Sequence, residues 1–426
     1  YALMPWLINQ LARASRLAPF GSVGDTPGPG VLERPLLQRI IILGVLTAVG
    51  SMVVPSTVAI MVVTAGALAL GGILVGQFRG VLRLLAAAAG GAIVAVVLNL
   101  PWSLTFATHD WASAVNARGV APSGLDASHI LRFATGPVGD TALAWAFLAA
   151  AALALLIGKR WRLAWAMRGW TVALVGWGVV FVSSRGYLPG VVPAPEVLLA
   201  PGAVGLALAA AMGMAAFEVD LPDYHFGWRQ IASLFAGAAV LVAIMPVLSA
   251  SAEGRWNLPG GDFNQYLDRL ESPSEAFRSL WVGPASTMPG DAWRLDVPEL
   301  EDEGPANPLV YQTTSGRTTD VQNLWPGAPQ GASSQLREAL ALAASGQTDR
   351  LGAVLAPMGV RYVVVPRRTA PPPFVNEDTT DPAALLDVLG SQLDLAREAM
   401  PPGIIVFRNA AWGPVDARLP RDTQVA

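Results

Sequence analysis

Residues 40–78 read IIILGVLTAVGSMVVPSTVAIMVVTAGALALGGILVGQF, 39 positions without a charge, bounded by Arg39 and Arg79. One bilayer crossing takes about 20 apolar residues. The run is too long for one crossing and matches two. Pro55, followed by Ser56, falls near its middle, where a tight turn is needed. The stretch predicts a helical hairpin, about 37–54 and 56–77, and with it a polytopic α-helical membrane protein.

Working outward, residues 84–108 are again uncharged. They predict a third helix, about 84–103, with Pro101 and Trp102 at its interface end. Further apolar runs predict helices at 141–158, 169–184, 197–217 and 230–249, about seven crossings in a transmembrane domain spanning 36–249. Upstream, Trp6, Leu7, Ile8 and Leu11 share one face of a short helix opened by Pro5, with Arg13 and Arg16 beyond. That pattern fits a helix lying in the membrane interface or the tail of a preceding helix. Residues 21–35 are a Gly/Pro-rich linker, so 1–35 reads as a juxtamembrane cytoplasmic segment. The chain opens on Tyr1 without a signal peptide and is expected to be a segment of a longer protein.

Charge is distributed unevenly. The chain is 53% hydrophobic and 14% charged, with mean hydropathy +0.45. Soluble proteins carry about 25% charge. Residues 1–249 hold 14 basic and 9 acidic groups, whereas residues 250–426 hold 14 basic and 22 acidic groups. The second part is an acidic domain of soluble composition. With no cysteine, it has neither disulfides nor thiolate metal sites and must rest on its own core. A single lysine, Lys159, stands against 27 arginines, which points to a GC-rich, bacterial genome.

Basic residues stay on the cytoplasmic side of bacterial membranes. With the N-terminus inside, eleven basic groups fall in inner segments, among them Arg39, Arg79, Arg83, Arg160, Arg162 and Arg168. Three fall outside: Arg118, Arg132 and Arg185. This predicts a multi-pass cell-membrane protein whose 250–426 domain is extracytoplasmic. The domain's apolar runs at 279–282, 309–313, 360–366 and 404–407 read as strands. Residues 262–271, 333–344, 348–356 and 383–389 read as helices. Their alternation predicts an α/β domain with a mixed or parallel sheet.

The familiar chemical motifs are missing. There is no P-loop, no G-x-G-x-x-G after a strand, no H-E-x-x-H and no G-x-S-x-G, and three histidines make a histidine metal site unpromising. No metal site and no cofactor are read from the chain, and no nucleic-acid partner. Glu299, Glu301, Asp302 and Glu303 read as a solvated acidic turn. The polar loop 104–139 is the best candidate site. It holds His109, Asp110, Asp126 and Arg132. Asp110 or Asp126 would serve as general base toward a hydroxyl acceptor. His109 and Arg132 would bind substrate, Arg132 gripping a phosphate through its planar donor fork. Residues 128–133 also fit a small interfacial helix with Arg132 snorkelling. Asp140 and Glu196 open helices and suit their N-terminal dipoles. Glu218, Asp220, Asp223 and His225 read as surface polarity. The predicted spans carry no ionisable residue, which argues against an ion-coupled transporter.

Three tail motifs carry a resemblance: Leu280-Trp281-Val282-Gly283-Pro284, followed by Gly290 and Trp293-Arg294-Leu295; Met358-Gly359-Val360-Arg361-Tyr362-Val363-Val364-Val365-Pro366; and Ile405-Val406-Phe407-Arg408-Asn409, with Asn323-Leu324-Trp325-Pro326-Gly327 between the first two. In this order they resemble the exported C-terminal region of large actinobacterial membrane proteins that join a family 2 glycosyltransferase domain to a polytopic region. The second and third also resemble the YfhO-like, GT-C-type membrane proteins. The resemblance implies a membrane glycosyltransferase of cell-envelope glycan synthesis, using a nucleotide- or polyprenyl-phosphate-linked sugar. Its partners would be the lipid bilayer, the polyprenyl-phosphate sugar and the envelope glycan. It implies a divalent metal only in a nucleotide-sugar domain preceding this chain. GT-C-type enzymes place an acidic base in the first outer loop, and no residue here is carried over as that base. The alternative is a non-catalytic membrane scaffold whose exported domain binds glycan or a partner protein.

Overall fold

The uncharged run folds as the hairpin that its turn residues dictate. In the computed structural model, α2 (Leu36–Val53) and α3 (Thr57–Leu74) flank a turn at Pro55, closed by the Thr57 amide donating to the Val54 carbonyl at 2.9 Å. The structure describes residues 2–21, 34–100, 102–105, 126–134, 142–185, 187, 195–220, 227–252, 263–270, 276–288, 292–300, 308–318, 331–368 and 381–413. They form two units, one helical and one built on a sheet.

The helical unit contains α1 (Met4–Ser15), the hairpin, α4 (Val81–Leu98), a short α5 (Ala127–Leu131), α6 (Ala146–Ile157), α7 (Arg160–Ser184), α8 (Pro195–Val219) and α9 (Trp228–Ala252). Five of these, α2, α3, α4, α7 and α8, are long and apolar enough to cross a membrane. The predicted span at 141–158 appears as a 16-residue apolar helix, 142–157, opening in a 3-10 turn. That at 230–249 lies in α9, whose apolar stretch covers Ser233–Met245.

The side-chain pattern is inverted relative to a soluble bundle. Inward, α2 presents Gly44, Thr47, Ala48 and Ser51, and α4 presents Ala87, Ala88, Gly91 and Ala95. Outward, they present Ile41, Val45, Val49 and Met52, and Leu85, Ile93 and Val97. In water such a surface would collapse; in lipid it costs nothing, and small inward residues let helix backbones approach. The buried hydroxyls of Thr47, Ser51 and Thr64 each donate to the carbonyl four residues back, at 2.7–2.8 Å. No polar group of these three reaches the hydrocarbon unsatisfied.

Two expectations change here. The face of α1 bearing Leu7, Ile8 and Leu11 is buried within the helical unit, and Trp6 points away from it, 63% exposed. The helix packs on α4 and α2, so its apolar face meets protein. The predicted span at 169–184 begins nine residues earlier, at Arg160. It therefore carries Arg168 inside the helix, only 1% exposed. Arginine is a good helix former, and its long side chain carries the charge away from the helix, so three arginines did not end it.

The second unit is a six-stranded mixed sheet of order β2-β3-β1-β4-β6-β5, from β1 (Arg278–Pro284), β2 (Trp293–Arg294), β3 (Leu309–Ser315), β4 (Val360–Pro366), β5 (Leu395–Arg397) and β6 (Ile404–Asn409). Only β1 and β4 pair in parallel. The valine run of β4 is explained by its central place: both faces are covered. Val363 and Val365 pack in one core with α10 (Gly331–Ala344), α11 (Leu351–Leu355) and α12 (Ala383–Gly390) through Leu340, Leu355 and Leu389. Tyr362 and Val364 pack on the opposite side with Trp281, Phe263 and Leu267.

The strand and helix runs read from the tail match these elements, with helix 348–356 shortened to α11 and helix 262–271 to the single turn Asn264–Leu267. Asn323 to Gly327 and Glu301 to Glu303 lie outside the described residues.

Candidate functional site

Among the described residues of the polar loop, 126–134 carry the short helix α5, and Asp126 explains why it starts there. Its carboxylate accepts from the Ala127 amide at 2.8 Å and from the Ser128 hydroxyl at 3.0 Å. A carboxylate at this position satisfies otherwise orphaned helix N–H groups. The Ser128 hydroxyl and the Ala127 amide also hold the Asp126 carboxyl below its ordinary range. A carboxylate so stabilised is a weaker base, the opposite of what a proton acceptor near neutral pH needs.

At the other end of α5, the Arg132 Nε donates to the Ser128 carbonyl at 3.2 Å, and its guanidinium lies 5.9 Å from the centre of the Trp145 ring. Ile130 is buried among α6, α7 and α8. Phe133, at φ 57°, turns the chain out of the helix and sets its ring 5.8 Å from Trp177. These two apolar anchors fix α5, and α5 fixes the direction of Arg132. The Nδ1 atom of His129 is buried without a hydrogen-bond partner. The arrangement holds one cation beside a helix whose acid is already committed. His109 and Asp110, the other two candidates, lie outside the described residues, as do Asp140, Asp223 and His225.

Asp220 corrects the sequence reading. It is 2% exposed and is no surface group. Its Oδ2 accepts from the Lys159 amide at 2.9 Å and from Arg162 Nε at 2.7 Å, and Arg162 Nη2 closes a bidentate pair on Oδ1. Burial alone would push this carboxyl up. The Arg162 guanidinium and the Lys159 amide outweigh it and hold the group below the usual carboxylate range. The pair ties the start of α7 to the end of α8. The signal for it was present: a basic cluster at 159–162 with an acid closing the helix that packs on it. Glu196, as expected, sits in the first turn of α8.

Between α3, α7 and α8 lies an apolar cleft of about 80 Å³, lined by residues including Ile60, Val63, Ala67, Val172, Val179 and Pro201. Its one hydroxyl, on Thr64, is already bonded to the Ile60 carbonyl at 2.7 Å. The cleft therefore presents an almost wholly apolar lining to a ligand. Among the described residues, no group of three His, Cys, Asp or Glu side chains is placed to hold a metal ion. No protein-family model, curated protein or solved structure matches this chain.

Proposed function

We propose that this chain is the membrane part of a bacterial glycosyltransferase of cell-envelope synthesis, taking its sugar from a polyprenyl-phosphate- or nucleotide-linked donor. The observation that carries this reading is where the three tail motifs fall: on β1, β4 and β6, adjacent strands at the middle of one sheet. The resemblance thus rests on one continuous structural core joined to a polytopic helical unit. In this reading the chain crosses the cell membrane seven times, with its N-terminus cytoplasmic and its sheet domain extracytoplasmic. The apolar cleft suits a hydrocarbon chain, since its lining is hydrocarbon and its hydroxyl is satisfied internally. Arg132 provides a fixed cation for a phosphate. Asp126 positions Arg132 by starting α5, and Asp110 of the same loop is the general base.

The test is sugar transfer by membranes containing the protein, from each donor class, with two variants. Asp110→Asn removes the base and is expected to abolish transfer. Asp126→Asn retains transfer, because asparagine caps a helix as well as aspartate does. Wild-type membranes that transfer no sugar from either donor class would sink the proposal. That outcome would favour the second reading, a non-catalytic scaffold whose exported domain binds glycan or a partner protein. The commitment of Asp126 to its own helix is the observation on that side.

A further inference from the structure

At the end of the helical unit where α2 and α4 begin, four arginines around α1 have no acidic partner among the described residues. The Arg13 Nε donates to Asn9 Oδ1 at 2.9 Å, and Arg39 Nη1 to Gln10 Oε1 at 3.0 Å. Arg83 Nε reaches the Ala14 carbonyl at 3.5 Å, and Arg168 Nη2 donates to Gln77 Oε1 at 2.8 Å. Every one of these acceptors is neutral, and among the described residues none of the four arginines meets a carboxylate.

Two of them are nevertheless buried. Arg39 is 7% and Arg168 1% exposed, and Arg168 Nη1 has no partner. Arg13 and Arg39 are held by neighbouring residues of α1, Asn9 and Gln10, and Arg34 precedes Arg39 by five residues. A buried guanidinium facing like charges is costly unless an anion completes the set. The C-terminus of α1 supplies about half a negative charge, far less than these cations require.

We propose that Arg13, Arg34 and Arg39, held by α1, form a binding site for the phosphate-bearing headgroup of an anionic membrane lipid. The lipid source follows from position: Arg39 stands in the first turn of a helix long and apolar enough to cross a bilayer, where the headgroups lie. Basic pockets between membrane helices take such headgroups. Asn9 and Gln10, adjacent on α1, each hold one guanidinium through a single N–H. The inference is independent of the glycosyltransferase reading.

The full chain is placed in nanodiscs of neutral phosphatidylcholine, with or without phosphatidylglycerol, and its melting temperature and retained lipid are measured. Phosphatidylglycerol should raise the melting temperature and be retained on the protein. Each cation removed should weaken retention about fivefold. The variants are Arg39→Gln and Arg34→Gln. Arg34 is exposed, so its loss leaves the fold intact and keeps the test decisive. Arg185→Gln, beyond the far end of α7, should retain the full gain. Equal retention in wild type, Arg34→Gln and Arg39→Gln would overturn the proposal. So would inorganic phosphate reproducing the whole stabilisation in neutral nanodiscs, since the site would then take a soluble anion.

Discussion

Asp126 commits both carboxylate oxygens to its own helix, and Asn409 ties β6 to α11 and β4. The Asn409 Nδ2 donates to the Gly352 and Val360 carbonyls at 2.8 and 2.9 Å, and its Oδ1 accepts from the Ala411 amide at 2.9 Å. It is 3% exposed. Asn409→Ala removes the donor from two buried carbonyls, those of Gly352 and Val360, and each buried group left unsatisfied costs about 1–3 kcal/mol. The sheet unit of that variant should unfold at clearly lower denaturant, as followed by tryptophan fluorescence. Asp220→Ala removes the buried carboxylate on which Arg162 and the Lys159 amide converge. A lost hydrogen bond to a charged group costs about 1.5–3 kcal/mol, read as a lowered melting temperature in detergent.

Acid does the same to Asp220 by another route. Its folded pKa is depressed, so its contribution is complete above the unfolded value of about 3.9. It is lost as pH falls through the lower folded value. Stability owed to Asp126 and Asp220 should be flat from pH 5 to 8 and fall only in strong acid; a decline between pH 7 and 5 would contradict this. At this scale the sequence was least informative. The cap at Asp126 is a local pattern, but the partnership of Asp220 with Arg162 joins residues 58 apart, and its signal, a basic cluster and a distant helix-closing acid, becomes specific only once α7 and α8 are packed.

At the scale of elements, helix packing depends on bare backbone. A Cβ on Gly169 of α7 would lie 2.4 Å from the Gly205 carbonyl oxygen of α8, and one on Gly205 would lie 2.5 Å from that of Gly169. Neither neighbour is a side chain that can swing aside. Gly169→Val should therefore force α7 and α8 apart, costing about 1–3 kcal/mol or more, whereas Gly178→Ala, with nothing within 4 Å, should be neutral. Melting temperatures of the two variants in the same detergent check the contrast.

The α3 terminus shows a second dependence. Gly76, at φ 73°, lets the Gln77 amide reach the Gly72 carbonyl at 2.9 Å, a glycine-terminated helix end. That turn places Gln77 before Arg168. The hairpin, the long apolar helices and the four principal strands were legible in the sequence, because uncharged length and β-branched runs carry their own signal. The start of α7 was not, since its arginines mimic a loop. The role of α1 was not either, because an amphipathic face looks the same against lipid and against protein.

The whole molecule joins a helical unit with five helices long and apolar enough to cross a membrane to an acidic sheet domain. The order of the units follows from composition alone, since charge is scarce up to residue 249 and plentiful beyond it. The proposed side of the membrane rests on the bias of basic residues toward the cytoplasm. The chain has no cysteine, so a single introduced thiol reports on one position. Ser391→Cys stands on an exposed position at the end of α12, and Phe78→Cys on the turn after α3, where Phe78 is 66% exposed. Each is treated in intact cells with a membrane-impermeant maleimide. The account predicts that the thiol at 391 labels in intact cells, and that the thiol at 78 labels only after the membrane is opened. Labelling at 78 with protection at 391 would place the sheet domain in the cytoplasm and contradict the proposed role in building an external glycan.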